Sequence, residues 1–130
     1  MDQRVERVIA LMTNDLRRGF RLSKMAQSVN LSPTRLSYLF KSEIGSPPAR
    51  YLRTLRINDA ATLLASTFLT VKEIMVRVGF SDESHFVRYF KRSYGMTPTQ
   101  YRRLNRRPIE ARPPQANIRK KRPINSKNRQ

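Results

Sequence analysis

The chain has 130 residues, 38% of them apolar, a length that suits one compact domain or two very small ones. Twenty-seven Lys and Arg face nine Asp and Glu, a net charge of +18, which points to nucleic acid, an anionic membrane surface or an acidic protein as partner. The absence of cysteine and the single histidine, His85, exclude a disulfide framework, a thiolate zinc site, a cysteine nucleophile and a multi-histidine metal cluster. No apolar run approaches the ~20 residues of a membrane span, and Met1-Asp2-Gln3-Arg4 does not open a signal peptide. A cytoplasmic protein with no membrane partner is therefore expected.

In chain order, Asp2 caps a first predicted helix with an apolar stripe of Val5, Val8, Ile9, Met12 and Leu16, ending near Gly19. Ser23 is expected to open a short second helix with Met25, Ala26 and Val29 inside. Ser32 followed by Pro33 is a strong start for a third, because proline supplies the helical φ and lacks only a donor that would be orphaned anyway. That helix is predicted to run to Ile44 and stop at Gly45. Ser46-Pro47-Pro48 begins a long fourth helix of about 17 residues, ~26 Å, with Ile57, Ala60, Ala61 and Leu64 at helical spacing. Thr70-Val71-Lys72-Glu73 has the form of a capping box and starts a short fifth helix. After Gly79-Phe80, Ser81 or Asp82 caps a sixth helix from Glu83 to Tyr94, stopped by Gly95, and Thr97-Pro98 opens a last short helix bearing Tyr101.

The second half repeats the first. At an offset of 50, Phe40, Lys41, Gly45, Pro48 and Tyr51 match Phe90, Lys91, Gly95, Pro98 and Tyr101; upstream, at an offset of 49, Val29, Leu31 and Ser32 match Val78, Phe80 and Ser81. One inserted residue in the turn accounts for the change. The repeated unit, a short helix, a tight turn and a longer helix, is a helix-turn-helix. The chain thus divides into a first unit (4–47), a linker helix (48–66) and a second unit (67–103), within an all-α fold. Residues 104–130 carry nine basic and one acidic residue among four prolines, too few apolar groups to offset the entropy of ordering, and are expected to form a disordered basic tail.

Each longer helix has an inward and an outward side. Leu36, Leu39 and Phe40, and in the repeat Phe86, Tyr89 and Phe90, define the buried faces. At about 100° per residue, Thr34, Tyr38 and Lys41 lie opposite, flanked by Arg35 and Ser37. In the repeat Ser84, Arg88 and Lys91 lie opposite, flanked by His85 and Val87. Hydroxyls, a long donor and small apolar groups suit base edges in a major groove, with arginine able to grip guanine bidentately. Thr34, Arg35, Ser37, Tyr38, Ser84, His85, Val87 and Arg88 are thus the base-facing candidates, and Ser32, Lys41, Lys91 and Arg92 the phosphate candidates. Two alternatives stay open: a DNA-coating protein driven by charge alone, and an enzyme using a helix-turn-helix adaptor. The residues show no nucleophile–base pair, metal cluster or phosphate-cradling glycine loop, so no catalytic residue, metal or cofactor is expected.

The run from Gly79 through Lys91, followed by Tyr94-Gly95-Met96-Thr97-Pro98-Thr99-Gln100-Tyr101-Arg102, resembles the signature segment of AraC/XylS-type transcription regulators. Leu31-Ser32-Pro33-Thr34-Arg35-Leu36, Phe40-Lys41 and Gly45-Ser46-Pro47 fit that family's first unit, so the likeness spans roughly residues 4–103. The resemblance implies seven helices, with recognition helices at 33–44 and 83–94 in adjacent major-groove segments on one face of the duplex, about one turn or ~34 Å apart. It places reader positions on Arg88, Ser84 and His85, and on Thr34, Ser37 and Tyr38. It also implies transcription regulation, leaning to activation through contact with RNA polymerase, by a nucleoid-associated protein; two reading units in one chain make a monomer on DNA sufficient. With no room for a sensing domain before Arg4, the chain resembles a small stand-alone member or a detached C-terminal half, without a small-molecule effector site.

Overall fold

The structure, a computed structural model, describes residues 1–17, 19 and 21–106. Over these it holds seven helices and no strand: α1 (Gln3–Asn14), α2 (Leu22–Ser28), α3 (Pro33–Ile44), α4 (Pro48–Ser66), α5 (Val71–Arg77), α6 (Glu83–Tyr94) and α7 (Pro98–Asn105). The expected all-α arrangement of two units and a linker helix is what these residues build. The expected tail lies outside the described residues from 107 onward, and α7 continues through Leu104 and Asn105.

Local chemistry sets most boundaries. Asp2 accepts from the Arg4 N–H at the start of α1, Ser32 from Arg35 at α3, and Thr97 from Gln100 at α7. Thr70 and Glu73 close a reciprocal capping box. Of the two candidates at α6, Asp82 is the cap, accepting from the His85 N–H at 3.1 Å, in the place that Ser32 has at α3. Three expected ends shift. α1 stops at Asn14 rather than near Gly19, because Asp15 is extended at φ −152°. α2 begins at Leu22 behind an uncapped Arg21, its start set by Leu22 packing on the first core rather than by a Ser23 hydroxyl. α4 has 19 residues, not 17.

Two cores share the linker. Val5, Val8, Met12, Met25, Ala26, Val29, Leu36, Phe40 and Leu52 form the first. Ile57, Ala60, Ala61, Leu64, Ile74, Met75, Val78, Phe86 and Phe90 form the second. α4 thus gives its first half to one unit and its second half to the other. Arg102 of α7 fastens the far end, donating to the carbonyls of Leu64 (3.0 Å), Thr67 (3.3 Å) and Leu69 (2.6 Å) just where α4 runs out of intrahelical partners.

The turn inside each unit is the same Schellman motif. Leu31 N–H donates to Ala26 carbonyl and Asn30 N–H to Gln27; in the repeat Phe80 donates to Met75 and Gly79 to Val76. The left-handed residue is Asn30 (φ 60°) in one and Gly79 (φ 103°) in the other. Asparagine tolerates that conformation, but the second turn has an added demand. A Cβ on Gly79 would lie 2.6 Å from the Leu16 carbonyl oxygen and 2.8 Å from Arg56 Nε, and those two atoms are themselves hydrogen-bonded at 2.8 Å. The segment after α1, the linker and the second turn meet there. Gly79→Ala should therefore cost more than ~1 kcal/mol in urea unfolding, while Asn30→Gly should be nearly neutral. Equal effects would show that the close approach does not constrain the turn.

Candidate nucleic-acid interface

The repeat read from the sequence reappears as a repeat of environment. From Pro33 to Arg50 and from Glu83 to Gln100, burial and exposure follow the same order position by position. Leu36 and Phe40, like Phe86 and Phe90, are fully buried, and Leu39 and Tyr89 half-buried. Thr34, Arg35, Tyr38 and Lys41 are exposed on α3, and Ser84, His85, Arg88, Lys91 and Arg92 on α6. Tyr38, at 74% exposure, does not cover the core edge.

Two flanking candidates sit deeper. Val87 is half-buried against the second core. Ser37 is half-buried and lines a cavity of about 290 Å³ between the units, where Phe80 faces Leu22, Met25 and Leu52. Of the phosphate candidates, Ser32 is exposed, and its oxygen accepts from Arg35 N–H at 3.1 Å, leaving the hydroxyl proton to donate outward.

The exposed faces are electrostatically one-sided. Among the described residues the ion pairs are Arg4–Asp2 and the long His85–Asp82 contact at 4.0 Å, so Arg35, Lys41, Lys91 and Arg92 on or beside the outward faces form no ion pair, and Arg88 feels Asp82 only from beyond ion-pair distance. Asp82 is held below the usual carboxylate range, first by the hydrogen bond from His85 N–H and then by the neighbouring His85 and Arg88 side chains. A carboxylate depressed by folding stabilises the fold above its unfolded value near 3.8 and loses that contribution as pH falls through the lower folded value. Asp82→Asn, which keeps a capping oxygen but cannot titrate there, should flatten the fall in Tm between roughly pH 5 and pH 2. An unchanged acid limb would show that Asp82 contributes nothing to the acid sensitivity of the fold.

Arg53, and its grouping with Tyr89 and Arg92, escaped the sequence reading. Arg53 of α4 places its guanidinium carbon 4.2 Å from the centre of the Tyr89 ring, and Arg92 places its own at 5.5 Å. Tyr89, expected inside, does pack on the second core, but one ring face is covered by arginine rather than by apolar groups. The available signal was the offset of 50, which sets Tyr89 and Arg92 against Leu39 and Ser42.

No helix among the described residues is long and apolar enough to cross a membrane. Residues 25–104 match the helix-turn-helix domain family. The chain is 36% identical over 103 residues to the HTH-type transcriptional activator RhaR of Enterobacter sp. (strain 638), covering 79% of this chain and 36% of that protein. Among solved structures, the C-terminal domain of AraT, a response regulator from Geobacillus stearothermophilus, superposes with a TM-score of 0.79 at 31% identity, over 86% of this chain and 93% of that one. The DNA-binding domain of the global transcriptional factor AdpA, solved in complex with a target DNA, gives 0.74 at 28% identity, over 86% and 97%. The chain spans about a third of the length of the curated relatives it matches.

Proposed function

The chain belongs to the AraC-type family of helix-turn-helix DNA-binding domains, and on that premise we propose that it binds double-stranded DNA sequence-specifically and regulates transcription. The observation that carries this reading is the pair of environment-matched helices, α3 and α6, each anchored by two buried side chains and each presenting hydroxyl and cationic groups outward. In this reading Thr34, Arg35, Ser37, Tyr38, Ser84, His85, Val87 and Arg88 meet base edges, with Ser37 and Val87 confined to the inner margin by their burial. Ser32, Lys41, Lys91 and Arg92 hold phosphates and fix register. Two reading helices in one chain make a monomer sufficient on an asymmetric site. Activation through RNA polymerase, action without a small-molecule effector in these residues and a cytoplasmic, nucleoid-associated location belong to the same proposal.

The test is a binding ratio. Against a duplex enriched by selection, the chain should bind at least about 10³ times more tightly than against random duplex at the same salt. A ratio near one would make it a charge-driven coating protein. Lys91→Ala should weaken selected and random duplex alike and flatten the dependence of log K on log salt by about 0.9. An unchanged slope would show that Lys91 meets no phosphate.

A further inference from the structure

The repeat allows one unit to serve as the control for the other. Leu39, Ser42 and Glu43 of α3 occupy the places that Tyr89, Arg92 and Ser93 occupy on α6, with the same burial. The fold therefore requires only a half-buried apolar group at the first place and exposed groups at the others. The phenol ring and the guanidinium of the second unit exceed that requirement.

Both additions face the linker. Arg53 lies over the Tyr89 ring with Arg92 nearby, and Arg50, one turn before Arg53 on α4, joins them around a cavity of about 370 Å³ that Thr54, Ile57 and Ser93 complete. No carboxylate lines this cavity, and among the described residues none of the three arginines forms an ion pair. Three guanidinium groups around one space repel each other, and an anion there relieves the repulsion. The ring holds Arg53 by cation–π attraction, so its planar fork is pre-set for phosphate oxygens. The cavity also adjoins the reading face: Arg92 is one turn beyond Arg88 and on the same side of α6. A duplex whose groove receives Arg88 brings the strand bordering that groove alongside Arg92.

We propose that Arg50, Arg53 and Arg92, backed by Tyr89, form a clamp for a phosphodiester of the DNA strand bordering the groove read by α6. This rests on the DNA-binding reading above and adds a phosphate site built between the linker and one unit only. The test uses the full chain and the selected duplex, with a neutral methylphosphonate placed at each backbone position in turn. Arg53→Ala should weaken binding about tenfold and flatten the salt slope by about 0.9, with an unchanged Tm and an unchanged ratio of selected to random duplex. One methylphosphonate position should weaken the wild type and not Arg53→Ala. The double variant Tyr89→Leu with Arg92→Ser, which writes in the first unit's residues, should behave like Arg53→Ala.

Wild-type affinity and slope in Arg53→Ala, or the same methylphosphonate profile in both proteins, would overturn the clamp while leaving sequence-specific binding intact. So would an Arg53→Ala protein that loses only its affinity for inorganic phosphate, because the cavity would then serve a free anion. Loss of any duplex preference in the wild type would overturn the DNA reading itself.

Discussion

Phe90→Ala is expected to lower the free energy of unfolding by ~3–5 kcal/mol. Phe90 has no exposed surface and sits among three other rings, with centroids 6.1 Å from Phe86, 4.8 Å from Tyr94 and 5.4 Å from Tyr101. These neighbours come from α6 itself and from α7, and they are held in turn: Tyr94 donates its hydroxyl to Asn58 Oδ1 on the linker at 2.7 Å. They cannot all move to fill a vacated phenyl site, so transfer and cavity costs both apply. Against a total stability of ~5–15 kcal/mol for a domain of this size, the loss is about a fifth or more. Phe40→Ala should fall in the same range, nearer its lower end, because among the described residues Phe40 has one aromatic partner, Tyr51, at 5.5 Å. Equilibrium urea unfolding measures both. A loss below ~1 kcal/mol for Phe90 would mean that α6 is not seated as described, and its outward face would lose its assignment.

Arg88→Ala is expected to cost ~1–3 kcal/mol of binding on the selected duplex, a five- to 150-fold rise in Kd, and to relax sequence choice at one base pair. Arg88 is exposed on α6 one turn from Ser84, and its side chain carries the five donors of a planar fork, enough for two parallel bonds to one guanine. Affinity for random duplex should change far less, since a base contact adds nothing where the base is wrong. Equal losses on both duplexes would move Arg88 from the base-facing group to the phosphate group.

The sequence made the fold legible because its punctuation is strong and local. Ser32-Pro33, Gly45, Thr70 with Glu73, Gly95 and Thr97-Pro98 each mark a boundary through one or two residues, and each boundary stands where the residues predict it. Boundaries set by tertiary packing were not legible. Nothing near Leu22 announces a helix start, and the first helix ends at Asp15 rather than at the next glycine. The outward faces followed from periodicity alone, because an amphipathic helix on a core has only one arrangement that buries Leu36 and Phe40, or Phe86 and Phe90. What crosses between elements did not follow. Arg56 reaching Leu16 forty residues away, Arg102 closing the end of α4 and Arg53 lying on Tyr89 all use long side chains whose partners depend on how α4 crosses the two units. Arginines in a chain of net charge +18 look alike until the packing separates those that bind carbonyls from those that face outward.

In the proposed reading, α3 and α6 meet neighbouring major-groove segments from one side of the duplex. Selection of bound sequences from a pool of random duplex DNA tests it most directly. The expected result is a motif of two conserved blocks whose centres lie about one helical turn, ~10–10.5 base pairs, apart, with Arg88→Ala erasing preference in one block and leaving the other. A single block, two blocks at variable spacing, or no enrichment would contradict it.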